Sequence, residues 1–170
     1  MSKTFADLGL TSQLLDSLNE AGFVNPFPIQ EAVIPLALTG ADIIGQAKTG
    51  TGKTLGFGLP ILNNVKRGNG KAVALVVVPT RELCIQVAEE LNKLAGGLEL
   101  RVTAIYGGRP MEPQIAELAK GIDIIVGTPG RLLDLQRQKS MDLSEVKHLV
   151  LDEADEMLDL GFMPDVEKIF

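Results

Sequence analysis

The chain has 170 residues, of which 45% are hydrophobic and 22% charged, a composition typical of one soluble globular domain and not of a disordered chain. Its 16 basic and 22 acidic residues give a net charge of −6, which excludes attraction to nucleic acid through a general positive field. Because Cys84 is the only cysteine, an internal disulfide and a thiolate zinc cluster are excluded, and because His148 is the only histidine, a histidine metal cluster and a Ser/His/Asp triad are poorly supported. No apolar run is long enough for a signal peptide or a membrane span, so we expect a cytoplasmic protein without a membrane partner.

Helical patterns and short apolar runs alternate along the chain. Helices are predicted over residues 12–21, 28–38, 80–94, 112–120 and 129–138. Strands are predicted over residues 41–45, 72–78, 101–106, 122–126 and 148–151. Because these strands are apolar at most positions, they favour a parallel sheet that is buried on both faces. The alternation predicts an α/β fold with an open, mostly parallel sheet flanked by helices on both faces, and ligands in such folds bind at the carboxyl ends of the strands.

A phosphate-binding loop is predicted after the first strand, at residues 47–54, where the sequence reads AKTGTGKT. The motif for such loops is Gly, four residues, then Gly-Lys-Ser/Thr, and here Ala47 stands in place of the first glycine. Lys53 would reach the β and γ phosphates of a nucleotide, and the Thr54 hydroxyl would ligate Mg²⁺. The candidate nucleotide-binding residues are Thr49, Gly50, Thr51, Gly52, Lys53 and Thr54. The alternative is a chance glycine-rich turn.

The helix expected after this loop contains residues that disfavour a helix. Gly56 and Gly58 each cost about 1 kcal/mol relative to alanine, and Pro60 would kink the helix. We therefore expect tertiary packing to offset these costs.

An acidic segment follows the last predicted strand, where residues 152–155 read DEAD. A carboxylate at the carboxyl end of a strand near a phosphate loop can hold Mg²⁺ partly through water, which is the role expected of Asp152. Glu153 would orient or deprotonate the attacking water, so Lys53, Asp152 and Glu153 are the candidate catalytic residues. The alternative is an ordinary acidic first turn of a helix.

Taken together and in order, these motifs resemble the DEAD-box ATP-dependent RNA helicases of the bacterial type. Besides the phosphate loop and residues 150–155, the resemblance rests on Phe5, Gly22-Phe23, Pro26, Pro28-Ile29-Gln30, Pro79-Thr80-Arg81-Glu82-Leu83, Gln86, Gly107-Gly108, Thr128-Pro129-Gly130-Arg131, Met157-Leu158 and Gly161-Phe162. The family implies a RecA-like fold, ATP and Mg²⁺ as cofactors, and RNA as partner.

The resemblance also implies roles for single residues. Gln30 would pair with the adenine edge and Phe5 would stack on the base, although Phe5 could instead be a core residue of the first helix. The implied RNA-binding residues are Pro79, Thr80, Arg81, Gly107, Gly108, Thr128 and Arg131. They would bind the sugar–phosphate backbone without sequence specificity. Asp155 would couple the two domains of a helicase.

Two points remain open at the arginines. Taken outside their motifs, Arg81 and Arg131 would be interpreted as surface salt bridges. Arg109, which follows the double glycine, is equally compatible with an RNA contact and with a solvated surface arginine.

We expect residues 1–170 to be an N-terminal RecA-like domain, incomplete at its C-terminal end, and we expect no second RecA-like domain. Residues 1–31 would carry the region of the family's adenine-reading Q motif, which Gly22-Phe23, Pro26 and Pro28-Ile29-Gln30 resemble. The family's Ser-Ala-Thr motif would follow the last helix and is not present in these 170 residues. The strand that belongs to this motif lies inside the sheet in the family, so we expect one central strand to be missing. The chain should be a monomer that binds nucleotide weakly and does not unwind RNA, whereas the full protein would use ATP to separate short duplexes. The alternatives are a non-catalytic ATP- and RNA-binding module and a DNA-directed phosphate-loop translocase.

Overall fold

The computed structural model describes residues 3–170. Within them the chain forms, in order, α1 (Ser12–Glu20), α2 (Pro28–Leu38), α3 (Lys53–Asn64), β1 (Ala74–Val77), α4 (Arg81–Ala95), β2 (Val102–Ile105), α5 (Glu112–Ala119), β3 (Ile124–Gly127), α6 (Pro129–Arg137), β4 (His148–Leu151), α7 (Ala154–Asp159) and α8 (Met163–Ile169). Short 3₁₀ turns occupy Phe5–Leu8 and Gly96–Leu98. Two compact units are present, one formed by Met1–Val65 with Glu90–Glu99 and the other by Lys66–Glu89 with Leu100–Phe170.

The second unit contains the sheet. Its four strands are parallel in the order β2-β3-β1-β4, and Leu75 of β1 is in register with Ile125 of β3 and Leu149 of β4. Parallel neighbours need a crossover connection, which the intervening helices provide. The predicted α/β class, with an open parallel sheet flanked by helices, is therefore confirmed.

The core of the second unit lies against one face of this sheet. Leu75 and Val77 on β1 pack there beside Ile105 and Ile125 on the neighbouring strands. The helices α6, α7 and α8 contribute Leu132, Leu135, Met157, Val166 and Ile169 to the same cluster. Burying each large aliphatic side chain stabilises the fold by about 1.5–3 kcal/mol, so this cluster holds the helices onto the sheet.

The strand predicted over residues 41–45 does not form, and that prediction was wrong. Residues 41–48 have no regular secondary structure, and the side chain of Ile44 is fully exposed. An extended segment needs a neighbouring strand for its backbone hydrogen bonds, and none of the four strands in residues 3–170 pairs with it.

Strand β4 lies at an edge of the sheet, where Leu149 is 45% exposed.

In the first unit, helix α3 is continuous through Pro60 despite its two glycines. Gly58 explains part of this tolerance, because a Cβ there would lie 2.5 Å from Cδ2 of Leu91 on α4. The glycine therefore allows close packing between α3 and the C-terminal end of α4, as the sequence led us to expect. Leu55, Leu59 and Leu91 are fully or almost fully buried.

No helix within residues 3–170 is both long and apolar enough to cross a membrane.

Candidate functional site

The predicted phosphate loop forms a tight turn directly before α3. Gly50 and Gly52 have φ angles of 81° and 82°, which lie in the left-handed region that favours glycine. The Thr51 hydroxyl donates to the carbonyl oxygen of Lys48 at 2.5 Å and closes the turn. Lys53 and Thr54 are the first residues of α3, so the N-terminus of a 12-residue helix lies at this loop. Such an end attracts phosphate.

Gln30 on α2 lies against this loop, with only 1% of its surface exposed. Its Oε1 accepts a hydrogen bond from the backbone N–H of Phe27 at 2.9 Å, and its Nε2 donates to the carbonyl oxygen of Gly52 at 3.0 Å. A side-chain amide has two donors and two acceptor sites, so one of each remains for a ligand. The sequence indicated a base contact for Gln30 but not its hold on the phosphate loop.

Phe5 is buried in the first unit, with 4% of its surface exposed. It lies in the 3₁₀ turn that Thr4 and Asp7 close, where the Thr4 backbone N–H donates to Oδ2 of Asp7 at 2.8 Å. This position favours the core role that the sequence left open beside base stacking.

A residue missed by the sequence analysis, Glu90 on α4, contacts Thr54. The Thr54 hydroxyl donates a hydrogen bond to the Glu90 carboxylate. Burial raises the pKa of Glu90, and this hydrogen bond partly opposes the rise. A hydroxyl that donates its proton to a carboxylate keeps its lone pairs for a metal ion. Thr54 is thus well suited to ligate Mg²⁺.

The protein oxygens available to a metal ion are few. Nowhere in residues 3–170 do three or more His, Cys, Asp or Glu side chains form a group that could hold a metal. Mg²⁺ is characteristically held by one or two protein oxygens together with water and substrate phosphates. The Thr54 hydroxyl in the first unit and the Asp152 carboxylate in the second unit are each oxygen donors of the kind that Mg²⁺ takes.

The acidic segment begins where β4 ends. The Asp152 N–H donates to the carbonyl oxygen of Val77 at 2.9 Å, and its Oδ1 accepts from the Glu153 N–H at 3.1 Å. Asp152 is 9% exposed, so its carboxylate is held at the carboxyl edge of the sheet. Glu153 has φ 54° and ψ 47°, a left-handed conformation that costs a non-glycine residue about 1–2 kcal/mol. Asp155 is exposed in the first turn of α7.

The predicted RNA-binding residues of the second unit gather at the same edge. The Thr128 N–H donates to the carbonyl oxygen of Ile105 at 2.9 Å, which ties the ends of β2 and β3 together. Thr80 follows β1 and caps α4, because its hydroxyl accepts from the Leu83 N–H at 3.2 Å. Thr128 is the N-cap residue of α6 and makes no side-chain capping bond. The structure thus brings two helix N-termini to one edge, a favourable environment for phosphate.

Gly108 lies beside the first of the predicted arginines. It is exposed with φ 78°, and a Cβ there would be 3.7 Å from Nη1 of Arg81. Gly107 is half-buried and Pro79 is buried. Of the predicted RNA-binding residues, Thr80 and Arg131 make hydrogen bonds through their side chains, and Arg81 lies beside Gly108.

Two residues that the motifs did not assign complete this edge. Tyr106 is buried and has the guanidinium carbons of Arg81 and Arg109 each 5.3 Å from its ring centroid. Gln114 on α5 is also buried and bonds to the backbone of Tyr106. The sequence showed no periodic signal for either contact, since both depend on how the loop folds back.

The salt bridges that sequence allowed for Arg81 and Arg131 do not form. In the ion pairs found within residues 3–170, the basic partner is a lysine each time and never an arginine. Arg131 instead donates from Nη2 to the carbonyl oxygen of Arg109 at 3.0 Å, and its Nη1 is buried without a hydrogen-bond partner. A buried, unpaired donor is costly, so this atom is suited to an incoming anion.

Comparison with known proteins identifies the family. Residues 27–170 match the DEAD/DEAH box helicase family. The chain is 50% identical over 165 residues to the ATP-dependent RNA helicase CshA of Listeria monocytogenes and 51% identical over 166 residues to the DEAD-box ATP-dependent RNA helicase CshA of Bacillus cereus. These alignments cover 97% and 98% of this chain, and it spans 32% of the length of each relative.

A solved structure has the same fold. The crystal structure of a DEAD box protein from the hyperthermophile Methanococcus jannaschii superposes with a TM-score of 0.92 at 45% identity. The superposition covers 99% of this chain and 47% of the other. On the family match, the identities and the shared fold, the chain belongs to the DEAD/DEAH box helicase family.

Proposed function

We propose that this chain is the N-terminal RecA-like domain of an ATP-dependent RNA helicase. It binds ATP with Mg²⁺ and the RNA backbone, and a second RecA-like domain completes the enzyme that separates short duplexes. The observation that carries the proposal is the glycine turn before α3, with Lys53 and Thr54 at the first helical positions. The CshA relatives are named ATP-dependent RNA helicases, which supports the same activity for the protein to which this chain belongs.

In this proposal each polar residue of the nucleotide site has one task. Lys53 neutralises the β and γ phosphates, while Thr54 and Asp152 hold Mg²⁺, the latter partly through water. The metal supplies charge neutralisation at the phosphates when it is bound. Glu153 orients the attacking water and accepts its proton. Gln30 selects adenine with the donor and acceptor that its internal hydrogen bonds leave over.

RNA binds in this proposal at the carboxyl edge of the sheet in the second unit. Arginine forks and helix N-termini contact phosphates and carry no sequence information, so binding is independent of sequence. The net charge of −6 means that such placed groups, and not the average charge, provide the attraction. The chain acts as a monomer, and Asp155 couples it to the second domain.

Calorimetric titration of the chain with ADP and with GDP, both with Mg²⁺, tests the nucleotide site. We expect ADP to bind and GDP to bind at least tenfold more weakly, because guanine presents its donor and acceptor in the wrong order for Gln30. Lys53→Ala is the control and should lose most of the ADP affinity. Equal binding of ADP and GDP would contradict the role of Gln30, and binding of neither would contradict the nucleotide site.

The alternative functions are separated by a second assay on a longer protein that contains this chain. Strand separation of a short RNA duplex with ATP would support the helicase. Nucleotide and RNA binding without strand separation would instead identify a non-catalytic module. Equal stimulation of ATP hydrolysis by single-stranded DNA and RNA would favour a DNA-directed translocase.

A further inference from the structure

The loop that follows β2, residues 106–110, is held at both ends by one buried side chain. Oε1 of Gln114 accepts from the Tyr106 N–H at 3.0 Å, and Nε2 donates to the Tyr106 carbonyl oxygen at 3.1 Å. The same Nε2 also donates to the Pro110 carbonyl oxygen at 3.3 Å. Gln114 is 1% exposed, so water does not compete for these bonds. The backbone between Tyr106 and Pro110 is therefore fixed, together with the glycines and Arg109 that it contains.

The Tyr106 ring holds two arginines. Since the guanidinium carbons of Arg81 and Arg109 each lie 5.3 Å from the ring centroid, they are at most about twice that distance apart. Cations at this range are attracted to the face of an aromatic ring. Arg109 is restrained further, because its Nη1 donates to the Tyr106 hydroxyl at 3.3 Å and its own carbonyl oxygen accepts from Arg131.

The resulting arginine cluster, defined as Arg81, Arg109 and Arg131, has no acidic counterpart. No ion pair within residues 3–170 includes any of the three. Nη1 of Arg131 is in addition buried and unpaired. Arg81 and Arg109 share one aromatic ring, and Arg131 contacts the backbone of Arg109, so these positive charges belong to one part of the surface. Anions bound there would offset the like charges, and an acceptor that reached Nη1 of Arg131 would satisfy the unpaired donor.

We propose that Arg109 binds a phosphate of single-stranded RNA next to the one bound by Arg81, and that Tyr106 is a positioning residue that holds both arginines for them. This inference rests on the proposed RNA-binding function and adds two residues to the predicted set. It decides between the two roles that the sequence left open for Arg109. Arginine side chains that are already restrained lose less conformational entropy when they bind a phosphate. The uncharged Tyr106 ring can therefore raise the affinity for RNA by restraining Arg81 and Arg109. The Gln114 bonds keep the ring in place.

The test is a fluorescence anisotropy titration of labelled decauridylate with the chain at several NaCl concentrations. Arg109→Ala should weaken binding about tenfold and lower the slope of log affinity against log salt by about 0.7, the value for one lost phosphate contact on a single strand. Tyr106→Leu should weaken binding about threefold and leave that slope unchanged, because it removes a platform and no charge. Tyr106→Phe keeps the ring and loses only the 3.3 Å hydrogen bond from Arg109, so its affinity should lie between those of the unchanged chain and Tyr106→Leu.

Arg137→Ala is the matched control, because it removes an exposed arginine of α6 outside the cluster. ADP affinity, measured on every variant, shows whether the fold is intact. If Arg109→Ala behaves like Arg137→Ala while Arg81→Ala weakens binding, the inference is wrong and the proposed RNA site stands. If Tyr106→Leu lowers the salt slope or abolishes ADP binding, its role is structural and the positioning claim fails. If the unchanged chain does not bind decauridylate at low salt, the RNA site and the inference both fail.

Discussion

The side-chain amide of Gln30 donates a hydrogen bond to the carbonyl oxygen of Gly52, with 3.0 Å between Nε2 and that oxygen. Gly52 is the residue directly before α3, so the side chain proposed to select adenine also holds the loop proposed to bind phosphate. A nucleotide base that forms hydrogen bonds with the Gln30 amide would therefore also affect the position of the phosphate loop. We expect nucleotide identity and loop geometry to be coupled in this family member.

Gln30→Glu separates the two ends of this amide. The carboxylate keeps an acceptor for the Phe27 N–H but has no donor for the Gly52 carbonyl oxygen, and the two oxygens repel each other. A buried group that loses its partner costs about 1–3 kcal/mol, so we expect thermal unfolding at a lower temperature and ADP affinity reduced at least tenfold. Differential scanning calorimetry and ADP titration measure the two effects. Unchanged ADP affinity would show that the loop does not depend on Gln30.

Gly52→Ala tests the fit of α2 against the loop. The new Cβ would contact Nε2 of Gln30 and lie 2.7 Å from Cδ2 of Phe27, and φ is 82°. We expect a loss of about 2–4 kcal/mol in the free energy of unfolding, from the left-handed strain together with the clash, and loss of ADP binding.

Substitutions at two other glycines provide matched controls for Gly52→Ala. The free energy of unfolding of all three variants is measured by chemical denaturation. Gly50→Ala has φ 81° with no atom within 4 Å of the new Cβ, so it should cost only the strain of about 1–2 kcal/mol. Gly56→Ala lies inside α3 with ordinary φ and open space, and it should stabilise the chain by about 1 kcal/mol. If Gly52→Ala costs no more than Gly50→Ala, the contact with Phe27 and Gln30 is not limiting.

Glu153→Gln tests the proposed general base. The substitution keeps the shape of the side chain and removes its charge, so we expect ADP affinity close to that of the unchanged chain. In a longer protein that joins this chain to a second RecA-like domain, RNA-stimulated ATP hydrolysis should fall by about 10²–10⁴. Phosphate release assays and nucleotide titration give the two quantities. Normal hydrolysis by this variant would remove Glu153 from the mechanism.

We expect titration of His148 to contribute to the pH dependence of the free energy of unfolding. Burial lowers the pKa of His148 below its ordinary value of 6.5, and the nearby charge of Lys147 lowers it further. The unfolded chain therefore binds the proton first as the pH falls. The stability contributed by neutral His148 is present above pH 6.5 and is lost as the pH falls towards the folded pKa.

An NMR titration of the single imidazole should show the lowered pKa directly. Thermal unfolding between about pH 5.5 and 7.5 should show less pH dependence in His148→Gln than in the unchanged chain, since glutamine does not titrate in this range. The same pH dependence in both proteins would assign it to other groups.

Cys84 should be unreactive in the folded chain. Its thiol is buried on α4 and lies 3.2 Å from the carbonyl oxygen of Val126, and burial raises its pKa to about 12. Since the thiolate is the reactive form, Ellman's reagent at pH 8 should modify Cys84 only as the chain opens, and at once in guanidinium chloride. Rapid modification of the native chain would show that α4 does not cover this thiol.

Much of the fold follows from local sequence patterns. The bounds of α2 and β4 were predicted to the residue, and the other strands that form differ by one or two residues at their ends. Pro28 and Pro129 mark helix starts because proline suits the first helical turn. The glycines of the phosphate loop were recognised for a similar local reason, since the left-handed turn before α3 is a property of those residues.

The tertiary structure decided what depends on partners distant in sequence. Residues 41–45 have a strand-like sequence but form no strand, because a strand exists only beside another strand. Gln30 meets Gly52 across 22 residues, and Thr54 meets Glu90 across α3 and α4, contacts that no periodicity encodes. Residue types and their spacing along the chain thus determined the family and its motifs. The placement of Arg109 over Tyr106 was decided by the folding of a loop, because contact energies depend on distances in space and not on distances along the chain.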